Sequence, residues 1–244
     1  MIGALFLAVT APAAPAASPA RAEVPVIGCP SDGQQGPQPP PPPRPPEPVP
    51  RLAPSAAARL AYYVSNELAV FAPHGWRCLA LEGSNGSMLV VTPERHSFED
   101  LHDLHGPAVQ ISLSFGGTSG RFEVAEAIAR FFPDHMAFAT EVGAEGILDQ
   151  PLPSGPFPAD RIERAGSDVV LFTTPPNARG QGTASLLAAN AEAIEGALLL
   201  IGSADEPSLI QISVRLPGSN ADLAPLVIGE VRRSFAATAS DKQD

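Results

Sequence analysis

The chain has 244 residues, a formal net charge of −11 at neutral pH and an apolar content of 44%, which suits a single buried core. An acidic chain repels phosphate backbones and anionic lipid surfaces, so nucleic-acid binding and a general membrane-surface role are excluded as working assignments. Lysine occurs once, at Lys242, and a Schiff-base lysine, a phosphate-loop lysine or a Ser-Lys dyad therefore has no place in the folded body.

Residues 1–22 have the form of a signal peptide: a short apolar run over residues 2–9, then the small-x-small sequence Ala20-Arg21-Ala22 ahead of the predicted cut. The mature chain then begins at Glu23, and loss of Arg21, the one charge in the leader, takes the net charge from −11 to −12. No later apolar run is long and uninterrupted enough to span a bilayer. Residues 23–54 form a proline-rich N-terminal segment. Eleven of the eighteen residues from 37 to 54 are proline, which predicts polyproline II in place of a helix or a ladder.

Ser55 follows Pro54 as a natural N-cap, and Leu60, Val64, Leu68 and Phe71 recur at helical spacing, so an amphipathic helix is predicted over 55–72. A hairpin is predicted next, with strands over 75–82 and 87–93. Asn85-Gly86 suits the two central positions of a type I′ turn, which sets Ser84 opposite Ser87, Glu82 opposite Leu89, Leu81 opposite Val90 and Ala80 opposite Val91. Both strands are apolar on two faces and read as central.

Ser97-Phe98-Glu99-Asp100 resembles a capping box and predicts a short helix that Gly106-Pro107 ends. Over 108–115, Val109, Ile111, Leu113 and Phe115 alternate with Gln110, Ser112 and Ser114, the period of a strand. A loop over 116–120 leads to a helix over 121–132, and residues 133–159, with four closely spaced prolines from Pro151 to Pro158, read as irregular. A second hairpin covers 160–164 and 168–174. In the stretch 180–193 the Ala-rich composition favours a helix while Gly180, Gly182 and Thr183 favour a loop entering a strand, and it is read as a strand; a third hairpin covers 197–201 and 209–216. A closing helix over 222–235 is capped by Asn220, and residues 237–244 read as a disordered tail. Hairpins with interspersed helices predict one α+β domain over 55–236, an antiparallel sheet with flanking helices. The order hairpin, strand, helix occurs before and after residue 140 and suggests an internal duplication.

Gly28-Cys29-Pro30, Asp32-Gly33-Gln34, Gly75-Trp76-Arg77-Cys78, Gly83-Ser84-Asn85-Gly86 and Val214-Arg215-Leu216-Pro217 together resemble a family of exported bacterial proteins of unknown function. The end of the chain, from Arg215-Leu216-Pro217 to Arg233-Ser234-Phe235, resembles the close of PsbP-like domains, sheet proteins flanked by helices that mostly act by binding. The first resemblance implies export, a periplasmic or secreted location, and a disulfide between Cys29 and Cys78, the only cysteines; paired cysteines are also the default in an oxidising compartment. That bond folds the proline-rich stretch back along the domain. The opposing reading takes Val26-Ile27-Gly28-Cys29 as a lipobox, with residues 37–54 as a stalk.

One constellation has metal-ligand character. His102 and His105, with Glu99 one turn earlier, lie on the polar side of the predicted short helix, and imidazoles one turn apart beside a carboxylate ligate zinc or copper. The competing reading is a solvated helix face. Nucleophilic catalysis has less support, because Gly83-Ser84-Asn85-Gly86-Ser87 places its serine one position early for a Gly-x-Ser-x-Gly elbow. The expected function is a periplasmic binding or envelope-interaction domain without catalysis or cofactor, its partner a protein or envelope component; the alternative is a metal-binding protein or metal-dependent enzyme built on His102 and His105.

Overall fold

A computed structural model describes residues 22–42, 51–148 and 150–240, with side chains described as far as Phe235. The predicted leader up to residue 21, the middle of the proline-rich stretch, residue 149 and the last four residues lie outside the described residues. The strands are β1 (Val26–Gly28), β2 (Ser31–Gly33), β3 (Leu60–Val64), β4 (Ala69–Pro73), β5 (Arg77–Gly83), β6 (Gly86–Thr92), β7 (Ala108–Ser114), β8 (Arg161–Arg164), β9 (Val169–Thr174), β10 (Ile194–Gly202) and β11 (Pro207–Arg215). The helices are α1 (Pro54–Ala57), α2 (Arg121–Phe131), α3 (Met136–Ala144) and α4 (Ala224–Ser240).

An eight-stranded sheet, in the order β2-β5-β6-β7-β11-β10-β9-β8, forms the middle layer. It is antiparallel except at β2, which joins β5 in parallel. Strand alternation divides the core in two. Leu89, Val91, Val109, Ile111, Leu199, Ile210 and Ile212 face Val227 and Val231 of α4, together with the smaller sheet β1-β3-β4. Val90, Val170, Leu198 and Leu209 face Val124, Ile128 and Phe131 of α2, with Phe138 and Val142 of α3 beside them. The fold is the predicted α+β arrangement.

The pattern hairpin, strand, helix does recur, as β5-β6-β7-α2 and β9-β10-β11-α4. The two meanders meet at the antiparallel pair β7–β11, and a two-fold axis exchanging antiparallel neighbours is perpendicular to the sheet and keeps each helix on its own face. Here α2 and α4 lie on opposite faces, so no two-fold relates the two halves.

The N-terminal segment is stitched into both sheets. β1 pairs in parallel with β3 and β2 with β5, and between them fully buried Cys29 is disulfide-bonded to Cys78 of β5, Cα to Cα 5.4 Å. Ser31 bridges Gln38, and Ala22 bridges Leu52. Both described ends of the proline-rich stretch therefore lie against the domain, and a buried, bonded Cys29 does not carry a lipid.

Five local expectations fail. The predicted helix over 55–72 is a single turn, α1, followed by the β3–β4 hairpin. The helical spacing of Leu60, Val64 and Leu68 coexists with Leu-Ala-Tyr-Tyr-Val, whose β-prone side chains are buried on both faces of the strand. Tyr62 packs on Phe71 with ring centroids 4.7 Å apart, and the Tyr63 hydroxyl donates to the Pro73 carbonyl at 2.9 Å. Within the predicted irregular region, 136–144 is helical, started by a 3-10 turn at Pro133–His135 that uses the proline where a helix tolerates it. The stretch 180–193 is a loop with one 3-10 turn at Gln181–Thr183, and not a strand. Asn220 does not cap the last helix, because its Oδ1 accepts from the Arg59 guanidinium at 3.0 Å. Arg59 also grips Asp222 through both carboxylate oxygens at 2.8 Å. That helix continues to Ser240, past its predicted end.

The β5–β6 hairpin forms with its turn one residue earlier than predicted. Gly83 pairs with Gly86, Glu82 with Ser87 and Leu81 with Met88, so Ser84-Asn85 is the connection. Neither connecting residue has positive φ, so the turn is not type I′; Gly86 has φ +154° and lies against β7, where a Cβ would stand 2.0 Å from the Leu113 carbonyl oxygen. The slip of two residues in pairing leaves every side chain on its predicted face.

Candidate functional site

The α2 face of the sheet is not wholly apolar. On β7 the residues on this face are Gln110, Ser112 and Ser114, and on β11 they are Leu209, Gln211 and Ser213. Register sets Gln110 opposite Ser213 and Ser112 opposite Gln211. Directly opposed residues of an antiparallel pair point the same way, so these side chains make one polar strip. Gln110, Gln211 and Ser213 are 2%, 8% and 0% exposed. Helix α2 covers one side of the strip and loop 181–188 the other, leaving a cleft of about 450 Å³, within the size range of small-molecule sites. Gln110, Ser112, Gln181 and Gln211 contribute polar groups to it, Leu81, Met88 and Phe98 apolar ones, and Glu82, Glu123 and Glu126 carboxylates. No Lys, Arg or His lines it.

The loop wall is held by buried hydrogen bonds. Asp160 accepts from the Thr174 hydroxyl and from the Gln181 N–H, each at 2.7 Å, while Thr174 Oγ1 accepts from the Gly182 N–H at 2.9 Å. Gly180 is required beside this network, since a Cβ there would lie 2.0 Å from Asp160 Oδ1. The Leu186 N–H donates to Gln110 Oε1 at 3.0 Å, and Gln181 Nε2 donates to Gln211 Oε1 at 2.8 Å. Further along β11, Arg215 is fully buried and donates to the carbonyls of Leu104, Gly106 and Ala188. No carboxylate pairs with it among the described residues. Burial pulls its guanidinium below the ordinary arginine range, and Glu192 partly offsets that. It binds loops 104–106 and 186–188 to the end of the sheet.

At the cleft mouth, burial pushes the Glu123 carboxyl above the usual carboxylate range, while a hydrogen bond from Ser114 acts the other way. Glu126 is engaged by Arg130 at 3.2 Å. Glu82 accepts both of its bonds from the Asn66 side chain.

The predicted metal residues lie elsewhere. Residues 97–104 form turns, not a helix: Ser97 Oγ accepts from the Asp100 N–H at 3.3 Å, and the chain then passes through Asp103 at φ +46°. Leu101 and Leu104 are buried, whereas Phe98 is 51% exposed. His102 and His105 stand with His96, Asp100 and Asp103 around a separate hollow of about 290 Å³, which Glu99 does not line. Among the described residues no three His, Cys, Asp or Glu side chains are grouped to hold a metal ion. The one-turn spacing that motivated the assignment is therefore absent.

Nucleophilic catalysis finds no Ser-His or Cys-His pair among the described residues. His135 binds Asp168 at 2.6 Å and joins the turn before α3 to the start of β9. No histidine bonds a serine or cysteine side chain, and both cysteines are in the disulfide.

Sequence reading missed the cleft because the alternation of Gln110, Ser112 and Ser114 is the same for a strand facing water and for one facing a polar cavity. Gln181 lay in the stretch read as a strand. The one signal in the sequence was polarity at those β7 positions and at Gln211 and Ser213 of β11 within otherwise apolar central strands. Comparison with protein-family models, curated proteins and solved structures finds no match.

Proposed function

We propose that the protein is an exported, non-catalytic binding domain whose ligand sits in the cleft between α2 and loop 181–188. The observation that carries this reading is the strip of buried amides and hydroxyls beneath the cleft. Burying such groups in a sheet core costs stability compared with aliphatic side chains, and Gln110, Gln181, Ser112 and Gln211 are grouped where a cavity of ligand size opens. The disulfide supports export, because such bonds persist in oxidising compartments. The same reading makes the partner an envelope or extracellular component.

Amide NMR of ¹⁵N-labelled protein tests the site with three probes: trialanine, maltose and decanoate. Saturable shifts concentrated at residues 110–114 and 181–186 with at least one probe are expected. Shifts confined to other surfaces, or cleft resonances that no probe moves, would overturn the assignment.

A further inference from the structure

The hydrogen-bond network beneath the cleft leaves two specific valences open. Gln110 is 98% buried, and its amide orientation is settled by chemistry: the Leu186 N–H is a donor, so the atom it meets is Oε1. Nε2 of Gln110 then has no acceptor among the described residues. Gln211 Nε2 donates to the Gln181 and Ala184 carbonyls and to the Ser213 hydroxyl, so its Oε1 is the atom that receives the Gln181 Nε2–H. Gln181 Oε1 is left without a donor. Every fully enclosed side-chain nitrogen and oxygen among the described residues has a partner, so these two unpaired atoms are ones that solvent reaches, and both residues line the cleft. Gln110 Nε2, on β7, offers a donor and Gln181 Oε1, on the covering loop, an acceptor, and both residues line the same cleft.

Such a pair complements a group that carries an acceptor and a donor together, as a peptide amide does. The rim adds charge selection. Glu123 and Glu82 have no cationic partner among the described residues, and no cation lines the cleft, so the mouth disfavours carboxylates and favours an ammonium group. Leu81 and Met88 offer apolar contact beside them. We infer that the cleft binds short peptides by an internal amide held between Gln110 and Gln181, with the peptide's free amino group toward Glu123. This rests on the cleft being the binding site.

The test titrates the full mature protein with trialaninamide, N-acetyl-trialaninamide and maltose, following the Gln110 and Gln181 side-chain NH₂ signals alongside the backbone amides. Trialaninamide should move both side-chain signals and saturate. Glu123→Gln should weaken it about fivefold, the scale of one part-exposed ion pair, and leave N-acetyl-trialaninamide unchanged. Maltose moving the cleft signals while trialaninamide does not would overturn the peptide assignment and leave the cleft as the site. Equal affinity for both peptides in wild type and Glu123→Gln would overturn the role of the amino group. Cleft signals indifferent to all three probes would overturn the inference, and the same silence toward decanoate would overturn the binding reading beneath it.

Discussion

Replacing Arg215 by Met tests whether a buried cation holds the loop wall. Its guanidinium reaches three backbone carbonyls, those of Leu104, Gly106 and Ala188. Leu104 keeps a second donor, the Ala188 N–H at 3.0 Å, so two carbonyls lose their protein hydrogen bonds. Charge-assisted bonds of this kind contribute about 1.5–3 kcal/mol each, a gross loss of roughly 3–6 kcal/mol for two by that scale. Against this, methionine avoids desolvating a charge, a recovery of a few kcal/mol. A net loss of about 2–3 kcal/mol is expected, which for a domain of this size lowers Tm by roughly 5–10 °C. Far-UV circular dichroism melts measure it. Arg215→Lys should lose nearly as much, since a single ammonium does not span carbonyls on two loops. Hydrogen exchange should quicken at the Leu104 and Ala188 amides, which bond to Leu186 and Leu104. A Tm for Arg215→Met equal to or above wild type would show that the buried charge is a net liability and that the loops are held by their apolar contacts.

Three further outcomes follow from the same structure. Removing the disulfide with Cys29→Ala and Cys78→Ala should cost about 4 kcal/mol in the chain-entropy model, given the separation of 49 residues; in wild type, two thiols should alkylate only after reduction, and alkylation without reductant would sink the pairing. Gly86→Val should destabilise by about 3 kcal/mol or more, through a strained backbone and a displaced strand, because φ is +154° and the Leu113 carbonyl occupies the place of a Cβ; an unchanged melting temperature would place the hairpin wrongly. Burial pushes both Tyr62 and Tyr63 up to about 12. The folded state therefore holds those protons more tightly than the unfolded chain, and this contribution to stability is full below pH ~10 and lost as pH rises toward ~12. Absorbance at 295 nm should show little tyrosinate in native protein at pH 10.5, and half-ionised tyrosine there would contradict the packing.

Much of the fold was legible because local pattern and long-range partner agreed. The alternation over β7, the paired strand runs of the second and third hairpins and the helical runs of α2 and α4 each specify an element by local spacing alone. The cysteine pair was legible for a different reason: the resemblance implies export, and paired cysteines are the default in an oxidising compartment. What local spacing left open, only the tertiary structure decided. Leu60, Val64 and Leu68 satisfy a helix period, yet β1 offers β3 a parallel edge and Phe71 offers Tyr62 a face, and burial of β-prone side chains on both sides outweighs that spacing. The choice of Ser84-Asn85 as the turn likewise depends on β7, whose Leu113 carbonyl lies against Gly86. The loop 181–188 has no period at all; Asp160, Gln110 and Arg215, each distant in sequence, give its backbone the partners that a strand neighbour would have given. The cleft exists only because that loop and α2 cover the polar face of β7 and β11 from two sides. Along the chain, a glutamine in a strand reads the same whether water or a cavity wall lies above it. Which of the two it meets is settled by the layer that packs over it, and no local pattern encodes that.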